Sequence, residues 1–190
     1  VRTLRPQHVV VIGSGFGFSV VCLGLGLKDN GSGRLSFVDP SYSLLRHGPL
    51  QTVGGTDQWS DPERVRAHFA RYGLDHIVNH HRSTSQAFFD AYRHSDLPPI
   101  DLAFIDGNHS FKAASHDFAA AVRESRPNSY LLLHDTNLYV RELIRHAGVK
   151  RLKRAIARRT EDFEVIDFPF SSGVAMVRVL RGGQWAREHD

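Results

Sequence analysis

Five side chains that can move protons or hold cations fall at or just past the ends of apolar runs in this 190-residue chain: Asp39, Asp106, His109, His134 and Asp135. "LSFVDP" carries Asp39, "LAFIDGNH" carries Asp106 and His109, and "YLLLHDTN" carries His134 and Asp135. A carboxylate at the end of a buried strand is costly unless something pairs with it or uses it. Histidine titrates near neutrality, where a general base works. A further stretch, "VVVIGSGFGFSVVCLGLGL" (Val9 to Leu27), spaces Gly13, Gly15 and Gly17 at alternate positions between two apolar segments, with Ser14 and Phe16 between them. That pattern reads as a strand, a tight turn and a helix, a geometry that brings bare backbone against a nucleotide.

These residues need a scaffold that brings strand ends together. Strand-like runs recur at His8–Gly13, Arg34–Asp39, His76–His80, Asp101–Asp106, Tyr130–Asp135, Phe163–Phe168 and Gly173–Leu180. Helix-like stretches separate them: Phe16–Leu27, Pro62–Tyr72 after the cap Asp61, Thr84–Arg93, Phe111–Glu124, and Val140–Arg159 with a break near Gly148. Strands alternating with helices predict an α/β fold, a mostly parallel sheet with helices on both faces. The last two strands are joined by too few residues for a crossover helix and so predict an antiparallel hairpin. In such a sheet, ligands bind outside the carboxyl ends of the strands, where the candidate residues lie.

The length suits one domain spanning residues 1–190. The single cysteine, Cys22, rules out an internal disulfide, and its apolar surroundings predict a buried thiol. No apolar run approaches the ~18 residues of a membrane span, and no signal-like start is present, so a soluble, cytoplasmic chain is expected. The net charge of +4 is concentrated in "RELIRHAGVKRLKRAIARR", Arg141–Arg159. There Ile144, Ala147, Leu152, Ala155 and Ile156 fall at helical spacing, which predicts an amphipathic helix with a solvated basic face rather than a nucleic-acid site.

The turn admits two nucleotides. A dinucleotide fingerprint is G-x-G-x-x-G with an acid about 20 residues on. Here the third glycine comes one position early, Phe18 takes its place and Asp39 comes late. G-x-G-x-G with an acid ending the second strand instead resembles the class I S-adenosylmethionine (SAM) dependent methyltransferases. "VVVIGSGFG" is similar to their first motif and "LSFVDP" to their second. "DLAFIDGNHSFKAASHDFAAAV" followed by "SYLLLHDTN" is similar to a small bacterial group related to macrocin-type and catechol-type O-methyltransferases and to cephalosporin-hydroxylase-like proteins. The resemblance implies a Rossmann-like, seven-stranded, mostly parallel sheet with a C-terminal antiparallel hairpin. It implies SAM held by Gly13, Ser14, Gly15, Gly17, Asp39, Thr84, Ser85 and Asp106, with Asp39 on the ribose hydroxyls. Val11 stands where the family usually carries an acid near the SAM amino group.

For the acceptor, the resemblance leaves three readings open. A hydroxyl acceptor is activated by Mg²⁺ or another divalent metal on Asp106, Asp135 and His134, of which histidine suits zinc, manganese or iron better than magnesium. Alternatively His109 or His134 acts as base without a metal, since the family's general-base aspartate falls near Asn108. Alternatively the chain binds SAM or another nucleotide without catalysis, or serves as a partner subunit. An NAD(P)-dependent oxidoreductase remains the reading from a different class. The expected acceptor is a small molecule, a secondary metabolite or a sugar. A homodimer or another subunit is expected if the site needs cover; methylation of RNA is disfavoured because the Asn-Pro-Pro-Tyr type of motif is absent. Asp117 is expected to tie its helix to a neighbouring loop. "NHH" (Asn79–His81) lines the cofactor pocket or lies on the surface. "GPLQTVGGTDQW" (Gly48–Trp59) is expected to be an acceptor lid, with Trp59 as a contact, or a plain connector.

Overall fold

Alternate residues of the first strand face opposite ways, and each side meets a different set of helices. In the computed structural model, which describes residues 1–41, 58–137 and 148–182, β1 (His8–Ile12) sends Val9 and Val11 to one apolar cluster and Val10 and Ile12 to the other. The first cluster takes Val20 and Leu27 from α1 (Phe18–Asn30) and Val65 and Phe69 from α2 (Pro62–Ala70), together with Phe37 of β2 (Arg34–Val38). The second takes Phe88, Phe89 and Tyr92 from α3 (Ser85–Tyr92), Phe118 from α4 (Phe111–Arg123), and Leu152 and Ile156 from α5 (Val149–Ala157). A strand buried on both faces reads as a continuous apolar run, which is what "VVVI" is.

The seven strands form one sheet in the order β3-β2-β1-β4-β5-β7-β6. The remaining members are β3 (Val78–His81), β4 (Ile100–Ile105), β5 (Ser125–His134), β6 (Phe163–Phe168) and β7 (Val174–Val179). All pairings from β3 through β5 are parallel. β7 runs antiparallel to both β5 and β6, so the expected hairpin closes the sheet. Its antiparallel sense has a consequence for the site: Val174, the start of β7, pairs with His134, the end of β5. The β6–β7 turn therefore lies at the carboxyl edge of the sheet.

Element boundaries moved where backbone chemistry outweighed periodicity. α1 begins at Phe18, two residues later than expected, because Gly17 caps it in the left-handed conformation and leaves Phe16 outside. It also continues past Leu27 to a left-handed Gly31. β5 starts five residues early, and Asn128 absorbs the irregularity with a φ of 72°. Cys22 corrects an expectation: it is exposed, on the outer side of α1. Ala155 is also exposed, while Leu152 and Ile156 of the same helix are buried. Residues 138–147, and with them Ile144 and Ala147, lie outside the described residues, as do residues 42–57, most of the expected lid. Among the described residues, no helix is long and apolar enough to cross a membrane.

Candidate active site

The sheet order fixes where a ligand can sit. β1 is flanked by β2 on one side and β4 on the other, so consecutive connections leave it in opposite directions and open a crevice at its carboxyl end. Gly13, Asp39, Asp106 and the His134–Asp135 pair stand on four adjacent strand ends around that crevice.

The half of the crevice around the glycine turn is built of close backbone packing and local hydrogen bonds. Gly13 has φ +71°, and a Cβ there would come within 2.6 Å of the Asp106 carbonyl oxygen, so only glycine lets the ends of β1 and β4 approach. The Ser14 N–H donates to Asp39 Oδ2 at 3.4 Å, and the Ser41 N–H donates to Asp39 Oδ1 at 2.7 Å. Burial raises the Asp39 pKa, and the two backbone N–H groups oppose that shift. Trp59 completes the ring: its backbone N–H donates to Ser41 Oγ at 2.9 Å and its indole Nε1–H to the Ser14 carbonyl at 3.2 Å. Gly17 packs under the same indole, which a Cβ would meet at 2.8 Å. Trp59 is 3% exposed and stacks on Phe69, so it braces the glycine turn from inside rather than reaching an acceptor from a lid. Gly15 is exposed at the tip of the turn.

On the β3 side, Thr84 caps α3, its Oγ1 accepting from the Ala87 N–H at 3.2 Å. Ser85 hydrogen-bonds Asp117, whose pKa burial raises against that bond. Asp117 is thus the expected tie, joining α4 to the start of α3. His80 Nε2 lies 3.3 Å from the Asp39 carbonyl, while the buried Nε2 of His81 has no hydrogen-bond partner. "NHH" therefore adjoins Asp39 rather than open surface.

The half at the ends of β4 and β5 is built of side-chain contacts between carboxylates and imidazoles. Asp106 Oδ1 takes His134 Nδ1–H at 2.9 Å and His109 Nε2–H at 3.3 Å. The other ring nitrogen of His109 lies 2.9 Å from Asp135 Oδ2. Both nitrogens of His109 thus face carboxylates, which suits only the doubly protonated, cationic ring. Burial works against that charge, but the bonds to Asp106 and Asp135 prevail and raise its pKa to about 9. Burial would raise both aspartates, yet the histidine bonds hold each carboxyl below its ordinary range. His134 is raised by its bond to Asp106, against the effect of burial.

Backbone features hold the cluster in place. Asn108 accepts the Ser110 N–H at 2.9 Å and shapes the turn before α4. The Gly148 N–H donates to the His109 carbonyl at 2.6 Å, and a Cβ on Gly148 would fall 2.1 Å from Phe111 Cα. Asp135 sits at φ 60°, a costly conformation that aspartate tolerates better than most residues. The expected metal set, Asp106, Asp135 and His134, comes together, but not as a metal site. Among the described residues no three His, Cys, Asp or Glu side chains are arranged to hold an ion. His134 points Nδ1 at Asp106, and the His109 ring lies between the two carboxylates, so the donors as arranged do not fit a divalent cation.

Residues 10–136 match a family described as a methyltransferase domain, and the chain belongs to that family, with the fold of class I SAM-dependent methyltransferases. It is similar to the O-methyltransferase TomG of Streptomyces achromogenes, involved in tomaymycin synthesis and solved with SAM. That likeness has a TM-score of 0.70 at 19% identity and covers 94% of this chain and 75% of TomG. An O-methyltransferase of Bacillus cereus, solved with S-adenosylhomocysteine (SAH), gives 0.68 at 20% identity over 94% of this chain and 76% of its own. A further relative is the uncharacterised protein y4gI of Sinorhizobium fredii, 26% identical over 178 residues. The match takes in 93% of this chain but only 18% of y4gI.

Neither Ser41 nor Ser172 stood out as a candidate in the sequence, and Trp59 was expected only as an acceptor contact. Ser41, two places after Asp39, carries no signal that separates it from loop residues. Ser172 was read only as part of a turn.

Proposed function

We propose that this chain transfers a methyl group from SAM to a hydroxyl of a small-molecule acceptor, with His134 as the general base. The observation that carries this reading is the difference between the two histidines. His109 has both ring nitrogens committed to carboxylates. His134 is held at Nδ1 by Asp106 and turns Nε2 toward the β6–β7 turn. A neutral ring that carries its proton on Nδ1 keeps a basic lone pair on Nε2. Asp106 also stabilises the imidazolium that forms when Nε2 takes the hydroxyl proton.

The cofactor residues fit SAM. Gly15 offers bare backbone at the tip of the turn, Gly13, Ser14 and Gly17 shape that turn, and Asp39 supplies an acceptor for the ribose hydroxyls. Thr84 and Ser85 line the adenine end, and Asp106 joins this side to the acceptor side. When bound, SAM supplies an electrophilic methyl on a sulfonium. The protein's task is to align the acceptor oxygen with that methyl and remove its proton. No step is assigned to a metal. Val11, buried in β1 where the family usually has an acid, favours a second reading: a SAM binder without turnover.

Thermal unfolding with SAM, SAH, NAD and NADP, each with and without EDTA, tests the cofactor. A ligand of the folded state at 100 times its Kd adds about 2.7 kcal/mol. A shift with SAM and SAH alone, insensitive to EDTA, is expected. A shift with NAD or NADP alone overturns the reading, and one abolished by EDTA restores the metal. Methyl transfer to a panel of phenols, sugars and aliphatic alcohols then separates the enzyme from the binder.

A further inference from the structure

The β6–β7 turn is bound to the segment just after β5, and its most consequential contact is a serine. Asn137 donates its backbone N–H to the Ser172 carbonyl at 2.8 Å and its side-chain N–H to the Pro169 carbonyl at 2.7 Å. Thr136 donates its N–H to the Gly173 carbonyl at 3.2 Å. Gly173, at φ +82°, allows this approach, because a Cβ there would fall 2.6 Å from Asn137 Cβ. The turn is thereby set against residues 135–137 and places Ser172 Oγ 3.3 Å from His134 Nε2. The same serine hydrogen-bonds the Asp135 side chain. Ser172 is partly exposed.

We infer that Ser172 is a positioning residue, whose hydroxyl fixes the ring of His134 and follows its proton. This rests on His134 being the base. With Nδ1–H given to Asp106, the neutral ring presents a lone pair at Nε2, and the Ser172 O–H donates to it. When the acceptor hydroxyl arrives, its proton passes to Nε2, directly or through Ser172 Oγ as the serine's own proton moves to the ring. In either case the acceptor oxygen gains the methyl, the sulfonium becomes a neutral thioether and His134 ends protonated. The new Nε2–H then donates to Ser172 Oγ, whose O–H turns to Asp135. One hydroxyl thus satisfies the ring before and after transfer, which histidine bonded at Nδ1 alone cannot achieve.

The test compares Ser172→Thr and Ser172→Val, which share a shape and differ in the hydroxyl. The first readout needs no turnover: the ring ¹⁵N shifts of His134 in histidine-labelled protein, assigned with His134→Gln. Wild type and the Thr variant are expected to share one Nδ1–H tautomer with a hydrogen-bonded Nε2, and the Val variant to move the Nε2 signal. The second readout is kcat, expected to fall about tenfold or more in Val and to return to within ~3-fold of wild type in Thr, while the Kd for SAH stays constant. Unchanged ring shifts in Val overturn the inference. So does a loss of SAH affinity or of thermal stability in Val that matches its loss of kcat. If wild type transfers no methyl to any acceptor, the proposed function fails, and the ring shifts still decide the place of Ser172.

Discussion

The two halves of the crevice are made by different means. The half around the glycine turn joins Gly13, Ser14, Gly17, Asp39, Ser41 and Trp59 through close backbone packing, backbone N–H groups given to the Asp39 carboxylate and the Ser41 hydroxyl, and one buried indole that donates to the Ser14 carbonyl. The acceptor half joins Asp106, His109, His134, Asp135 and Ser172 almost wholly through ionisable or hydroxyl side chains. The close backbone packing around the glycine turn tolerates few substitutions, because an added Cβ has nowhere to go. Side-chain contacts can be altered one at a time, and their strength follows protonation. The proposed reaction uses both: a fixed seat for the donor and a proton acceptor that changes charge during transfer.

The comparison can be broken most severely at His134. His134→Gln keeps hydrogen-bonding capacity but loses the base, and kcat is expected to fall by about 10²–10⁴ with the SAH affinity of the other half unchanged. Steady-state kinetics beside calorimetric SAH binding checks this; a parallel loss of SAH affinity would show the halves to be one unit. Trp59→Ala should do the reverse. Removing a buried indole costs about 3–5 kcal/mol and frees the Ser14 carbonyl, so denaturant unfolding should show the loss and SAH affinity should weaken.

His109→Gln sharpens the electrostatic side. The folded-state pKa of His109 is raised to about 9 from an ordinary 6.5, so its contribution is complete below pH 6.5 and disappears as pH rises through about 9. The shift corresponds to about 3 kcal/mol. The gap in unfolding free energy between wild type and His109→Gln should be widest near pH 6 and close toward pH 9–10. Asp106 and Asp135, held below their ordinary range, contribute above the usual carboxylate pKa and lose that contribution as pH falls through their folded values. A gap that does not change with pH would mean the ring is not the bridging cation. The smallest effect belongs to Thr84→Ala, the loss of one cap on α3, at about 1 kcal/mol. Urea unfolding reads it, and a larger loss of SAH affinity than of stability would place Thr84 against the adenine.

Much of the architecture could be read along the chain. The strand and helix alternation, the antiparallel ending and the cap at Asp61 follow from local periodicity and side-chain chemistry, which act over a few residues. Boundaries shifted where a left-handed glycine or Asn128 redirected the backbone, and Cys22 was misplaced because apolar neighbours do not reveal which side of a helix a residue takes.

For the site, local signals were enough to nominate Asp39, Asp106, His109, His134 and Asp135, because charged residues ending apolar runs stand out in any sequence. They could not assign the partners. Whether Asp106 and Asp135 faced a cation or a histidine ring depended on how the turn before α4 and the end of β5 meet, 26 residues apart for His109 and Asp135. Ser172 carried no signal, since a serine in a turn is ordinary until packing brings it to His134, and Trp59, expected as an acceptor contact, is instead carried by packing to the Ser14 carbonyl. Periodicity and capping are properties of neighbours in the chain. Hydrogen-bond partners across a sheet are properties of its strand order, and the antiparallel return of β7 is what carries Ser172 back to His134.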